Sequence, residues 1–98
     1  MKKYRYRLTL EPLEVPGVPA SRVLSFEFDN HDDIFVILER VSQRGDFSAE
    51  EIPQLVLGLK LLGKTLMENK ENALLASLKP HFNAFMRELK NSNPKETG

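Results

Sequence analysis

The sequence predicts an α+β fold: an N-terminal antiparallel β-hairpin packed on three α-helices, in the order ββααα. Three observations carry this. The first thirty residues alternate apolar and polar side chains twice, with a proline- and glycine-rich segment between. From about residue 30 onward, the apolar residues recur at helical spacing instead. Capping residues and a glycine separate the first two helical runs, as they do where one helix stops and the next starts.

The first alternating run is "KYRYRLTLEPL". Tyr4, Tyr6, Leu8 and Leu10 fall on one face; Lys3, Arg5, Arg7, Thr9 and Glu11 fall on the other. That is a half-buried strand, and Pro12 ends its regular pairing. Residues 12–21, "PLEVPGVPAS", form a turn-rich connection. "PGVP" at residues 16–19 also fits a P-x-x-P pattern, but only Arg22 lies nearby as a basic anchor, and a plain turn is the better reading. The second run, "VLSFEFD", sends Leu24, Phe26 and Phe28 inward and Ser25, Glu27 and Asp29 outward. Arg5 and Arg7 then have Glu27 and Asp29 to face across the hairpin, which favours antiparallel pairing in that register.

The spacing predicts a first helix over residues 30–44. Asn30 is a favoured N-cap, with Asp32 and Asp33 in the first turn. Ile34, Phe35, Ile37, Leu38 and Val41 give its stripe, and Gly45 stops it. Ser48 opens the second helix, because Ser48-Ala49-Glu50-Glu51 is a capping box placed just before an apolar run. Pro53 removes one early hydrogen bond. Ile52, Leu55, Val56, Leu59, Leu62 and Leu66 form one stripe, while Leu57 and Leu61 lie opposite, so this helix needs partners on two sides. Gly58 and Gly63 are costly inside a helix, and close approach of another element is the expected compensation. "NKENALLASLKP" breaks the pattern, with a short helical turn expected before Pro80. Pro80 then suits the first position of the last helix, whose stripe is Phe82, Phe85, Met86 and Leu89. A two-stranded hairpin is marginal alone, so its Tyr/Leu/Phe face is expected to lie on the helices.

The 98 residues suit a single small domain, residues 1–92, followed by a disordered polar tail at residues 93–98. There are no cysteines, so disulfides, thiolate metal sites and thiol nucleophiles are excluded together. Fourteen basic and fourteen acidic residues cancel, leaving no global field to attract nucleic acid or anionic lipid. Lys2 and Lys3 are not followed by the apolar core of a secretory signal. The most apolar window, residues 52–67, carries Lys60 and Lys64 and falls short of the ~20 apolar residues of a membrane span. The expected location is the cytoplasm.

Three stretches invite a functional reading. His31-Asp32-Asp33 resembles a metal or proton-transfer cluster, but a divalent ion takes four to six donors, and His81 is the one other histidine. Helix capping accounts for Asn30, Asp32 and Asp33 and leaves only His31 without a structural duty. "KKYRYR" interleaves bases and aromatics as nucleic-acid binders do. Alternation, however, sends Tyr4 and Tyr6 to one side and Arg5 and Arg7 to the other. The Leu57/Leu61 stripe is covered within the chain or forms an interface. Finally, no G-x-S-x-G, glycine-rich phosphate loop or H-E-x-x-H occurs. The residues therefore point away from an enzyme and require no cofactor.

"YRYRLTLEPLE", "LSFEF", "HDD" followed by "ERV", and "LGLKLLG" together resemble a family of small uncharacterised bacterial proteins, a domain of unknown function. The resemblance runs to about Lys90. The family carries no assigned activity, ligand or catalytic residue, so no site carries over, and the resemblance implies a bacterial cytosolic protein. The leading expectation is a non-enzymatic protein-interaction module, self-associating through a sheet edge or the second helix or binding an unknown protein partner. The alternative is a small metal-binding or hydrolytic protein using His31, Asp32 and Asp33. A weaker one is nucleic-acid binding through Lys2, Lys3, Arg5 and Arg7.

Overall fold

In the computed structural model, residues 3–17 and 22–91 are described. They form two strands and three helices: β1 (Tyr4–Leu10), β2 (Leu24–Asn30), α1 (Ile34–Ser42), α2 (Glu51–Glu68) and α3 (Ala73–Asn91). This is the α+β order predicted above. The C-terminal tail (residues 93–98), Lys2, and the Val18-Pro19 half of the P-x-x-P stretch lie outside the described residues. The chain divides into two compact units, Met1–Ile34 and Phe35–Gly98.

The first unit is the hairpin and the turn that follows it. β1 and β2 pair antiparallel, with Tyr6 opposite Phe28, Leu8 opposite Phe26 and Leu10 opposite Leu24. On the other face Arg5 stands opposite Asp29, Arg7 opposite Glu27 and Thr9 opposite Ser25. This is the register that charge matching predicts, and the side chains make the contacts. Arg5 bonds Asp29 at 2.7 Å and Glu27 at 3.0 Å, and Arg7 bonds Glu27 at 2.8 Å. All four side chains are well exposed, so each pair adds little to stability. Their larger role is to select the register, since a one-residue slip would turn every side chain to the wrong face. Pro16 and Gly17 form a turn, with Gly17 at φ 84°, a left-handed conformation that glycine adopts without penalty. On the apolar face burial is uneven. Phe28 is 6% exposed and stacks obliquely on Tyr6, ring centroids 5.6 Å apart; Ile34 is also buried.

The second unit contains most of α1 and all of α2 and α3, with Val41, Ile52, Val56 and Leu66 buried. The capping box forms as predicted. The Glu51 amide donates to Ser48 Oγ at 3.2 Å, and the Ser48 amide donates to Glu51 Oε1 at 2.9 Å. The Ser48 amide favours the ionised carboxylate, and with the Ser48 hydroxyl second it holds the Glu51 carboxyl below its ordinary pKa. Gly45 follows α1 at φ 84°, the expected left-handed stop. Just before it, Arg44 is nearly covered, at 14% side-chain exposure. Its guanidinium grips both oxygens of Asp46, at 3.2 and 3.0 Å, and donates to the Leu89 carbonyl in α3 at 2.7 Å.

Three expectations need correction. α3 is one helix from Ala73 to Asn91 with Pro80 inside it, not a short turn followed by a helix that opens at Pro80. Asn72 starts it: its side-chain oxygen accepts from the Leu75 amide at 3.2 Å, and its carbonyl accepts from the Ala76 amide at 2.9 Å. Pro80 costs the Ala76 carbonyl its usual partner four residues on. The helix nonetheless continues, because Leu75, Phe82, Met86 and Leu89 lie along one face and are all partly buried. The two glycines of α2 also differ. A Cβ on Gly63 would lie 3.2 Å from the Phe82 ring, the close approach expected, whereas a Cβ on Gly58 would meet nothing within 4 Å among the described residues. The third correction concerns Asn30 and belongs to the site below.

Candidate functional site

The stretch from Phe28 to Ile34 joins β2 to α1. Asn30 is the last residue of β2, and α1 begins only at Ile34. Asn30 therefore does not cap the helix, and Asp32 and Asp33 stand before its first turn, not in it. The Asn30 amide instead donates to the Asp32 carbonyl at 2.7 Å, closing the bend. This is the local side chain-to-backbone bond that makes asparagine a turn residue as readily as a cap.

The amide of Ile34 is taken by a residue from another strand. The Tyr6 hydroxyl accepts from the Ile34 N–H at 2.9 Å and donates to Asp33 Oδ1 at 3.4 Å. Both bonds are partly buried. Tyr6 thus does two things: its ring packs on Phe28, and its hydroxyl serves a helix start 28 residues away in sequence. Read from the sequence, Tyr6 is only an inward-facing aromatic. The usable signal was chemical: a tyrosine on a buried face brings a hydroxyl that must find a partner.

His31 and Asp32 are exposed and Asp33 is half-buried. Among the described residues, no group of three or more His, Cys, Asp or Glu side chains is placed to hold a metal ion. Nor does any buried side-chain nitrogen or oxygen lack a hydrogen-bond partner there. The geometry around His31-Asp32-Asp33 is that of a strand-to-helix corner held by Tyr6 and Asn30.

The basic strand is committed in the same way. Arg5 and Arg7 bond the carboxylates of β2, which hold Arg5 above its ordinary pKa through Asp29 first and Glu27 second. Glu27 is correspondingly held low, by Arg7 first and Arg5 second. Tyr4 and Tyr6 share a face with Leu8 and Leu10, opposite the arginines.

What stands out is uncovered apolar surface. Leu10 and Leu24 stand opposite each other at the end of the hairpin where the connection joins the strands, 67% and 58% exposed. Phe26 on the same face is 40% exposed, and Leu13, Val15 and Val23, near them in sequence, are each exposed by more than half. Two adjacent cross-strand positions thus present a contiguous apolar face. On α2, Leu57 and Leu61 are half-buried, while Leu62 and Met67 are more exposed. On α3, Leu74, Leu78 and Phe85 recur at helical spacing, all exposed. No helix among the described residues is long and apolar enough to cross a membrane.

Comparison with known proteins matches this chain to a family and a fold. A family described as "Domain of Unknown Function with solved-structure structure (DUF3861)" matches residues 4–91. A crystal structure of a protein of unknown function from Pectobacterium atrosepticum is similar at 34% identity, with a TM-score of 0.80 over 93% of this chain and 100% of that one. No curated protein matches.

Proposed function

This chain belongs to the DUF3861 family, a domain of unknown function, and from that premise we propose that it is a non-enzymatic protein-interaction module acting in the cytoplasm. The family match crosses the boundary between the two units, which supports a single functional domain over residues 1–92. The observation that carries the interaction reading is the apolar face at the hairpin's connected end. Single exposed apolar residues are ordinary on protein surfaces. A cross-strand pair such as Leu10 and Leu24, continued on the same face by Phe26, is a patch, and patches of this kind mark interaction sites.

The commitment of the polar groups supports the same reading. Arg5, Arg7, Tyr6 and Asp33 serve register and helix start. Tyr6 and Asp33 are engaged with the start of α1, and Arg5 and Arg7 with the carboxylates of β2. The α2 face of Leu57 and Leu61 is a second surface for the same role.

Leu24→Glu tests the proposal, since Leu24 is exposed and the change leaves the core untouched. The immobilised wild-type chain is expected to retain a protein, itself or another, that the variant retains at least tenfold less well. Equal retention by both chains, or retention by neither, would refute an interaction role for this face.

A further inference from the structure

We infer that the outer edge of β1 pairs antiparallel with β1 of a second copy of this chain, about a two-fold axis at Thr9. Arg7 of each copy then faces the partner's Glu11. This rests on the interaction reading above and supplies its partner, strand and register.

A two-stranded sheet is marginal, and three or more strands make a stable one. Among the described residues the sheet has only β1 and β2, so each strand has an edge with no strand beside it. The two edges differ in charge. The outward row of β2 is Ser25, Glu27 and Asp29. Paired with its own copy, it would bring carboxylates together with no cation in the row. The outward row of β1 is Arg5, Arg7 and Thr9, followed directly by Glu11, so it carries both signs. A two-fold interface needs a surface complementary to itself, and β1 has one.

Charge also selects the register. Antiparallel pairings centred on residue 5, 6 or 7 set arginine against arginine. A pairing centred on Glu11 sets acid against acid. Only two centres bring Arg against Glu: Leu8, which faces Arg5 with the partner's Glu11, and Thr9, which faces Arg7 with it. Arg5 already spends two nitrogens on Asp29 and Glu27. Arg7 bonds Glu27 through Nη2, and a guanidinium has five N–H donors. Glu11 is exposed and has no hydrogen-bond or ion-pair partner among the described residues. The Thr9 centre therefore joins two groups with capacity to spare. On the other face it sets Leu8 against the partner's Leu10, whose side is now mostly exposed. The result is a four-stranded sheet with a continuous apolar face. Charged residues on an edge strand ordinarily guard it against pairing; here they disfavour the registers that oppose like charges and favour the two that set arginine against Glu11.

The absence of cysteine makes the test direct. In the full chain, Thr9→Cys places one thiol opposite its copy, within the reach of a disulfide in an antiparallel pair. Mild oxidation is expected to give a covalent dimer. Ser25→Cys, on the far strand, would sit about 14 Å from its copy, three strand spacings away, and is expected not to cross-link. Sedimentation equilibrium of the wild type is expected to show a dimer, weakened at least tenfold in Glu11→Lys with an unchanged circular dichroism spectrum. A wild type that stays monomeric at high micromolar concentration overturns the proposal. So does a dimer that resists Glu11→Lys, or one that cross-links through Ser25→Cys and not Thr9→Cys. Either of the last two leaves the broader interaction reading standing, because Leu24→Glu probes that on the other strand.

Discussion

The Tyr6 hydroxyl is the atom on which the strand-to-helix corner depends, and Tyr6→Phe removes it alone. The substituted ring keeps its place 5.6 Å from Phe28, so the apolar packing is retained. Two bonds are lost. The one from the Tyr6 hydroxyl to Asp33 Oδ1 is long, at 3.4 Å, and contributes little. The one accepted from the Ile34 N–H is well formed at 2.9 Å, and Ile34 itself is 3% exposed. Its amide would be left with poor access to water. An unmet buried donor costs about 1–3 kcal/mol; because this bond is only partly buried, the loss should be about 1–2 kcal/mol. For a domain of this size that lowers Tm by roughly 4–15 °C. Urea unfolding followed by circular dichroism measures it, and the dependence on urea should be unchanged because the exposed surface is unchanged. Hydrogen exchange supplies the local reading: the Ile34 amide should lose protection in the variant, while amides within α2 keep theirs. A loss below about 0.5 kcal/mol, the range of inert surface changes, with Ile34 still protected, would refute the assignment of Tyr6 as the acceptor.

Gly58→Ala should raise stability by up to about 1 kcal/mol, since the methyl meets open space and the helix gains propensity. Gly63→Ala should gain less or lose, because its methyl presses on the Phe82 ring at 3.2 Å; thermal melts of the pair should rank them in that order. Ser48→Ala should cost about 1 kcal/mol through loss of the capping box, read by urea titration. The Glu51 and Asp46 carboxyls are held below their ordinary pKa values, Glu51 by Ser48 and Asp46 mainly by Arg44. Each therefore contributes stability that is present above the unfolded-state pKa and disappears as pH falls through the lower folded-state value. Unfolding measured from about pH 7 down to about pH 3 should show that decline below about pH 4.5, and it should be shallower in Asp46→Asn.

Much of this fold was legible because it depends on local rules. Alternation located both strands, and the charges on their outer faces set the pairing of Arg5 with Asp29 and Arg7 with Glu27. The Ser48–Glu51 box and Gly45 marked helix boundaries through bonds that span four residues or fewer. Pro80 misled for a related reason. The rule that proline opens helices is local, and it was outweighed by an apolar face running from Leu75 to Leu89 and a stronger cap at Asn72. At the candidate site, His31-Asp32-Asp33 was visible as a cluster, but its chemistry was not. Proximity in sequence says nothing about what lies across the hairpin.

The sequence by itself determined the order ββααα, the hairpin register, the start of α2 and the stop of α1. Each follows from side-chain period, charge or capping over a few neighbouring residues, and such short-range preferences are written directly in the chain. Only the tertiary structure decided what Tyr6, Gly58 and Gly63 do, and which apolar residues stay uncovered. Those outcomes depend on residues far apart in sequence. Among the described residues the Tyr6 hydroxyl finds the Ile34 amide, Phe82 reaches Gly63 but nothing reaches Gly58, and Leu10 and Leu24 meet each other but stay mostly exposed. A contact between distant residues has no period to read, because it is set by where the folded backbone brings them.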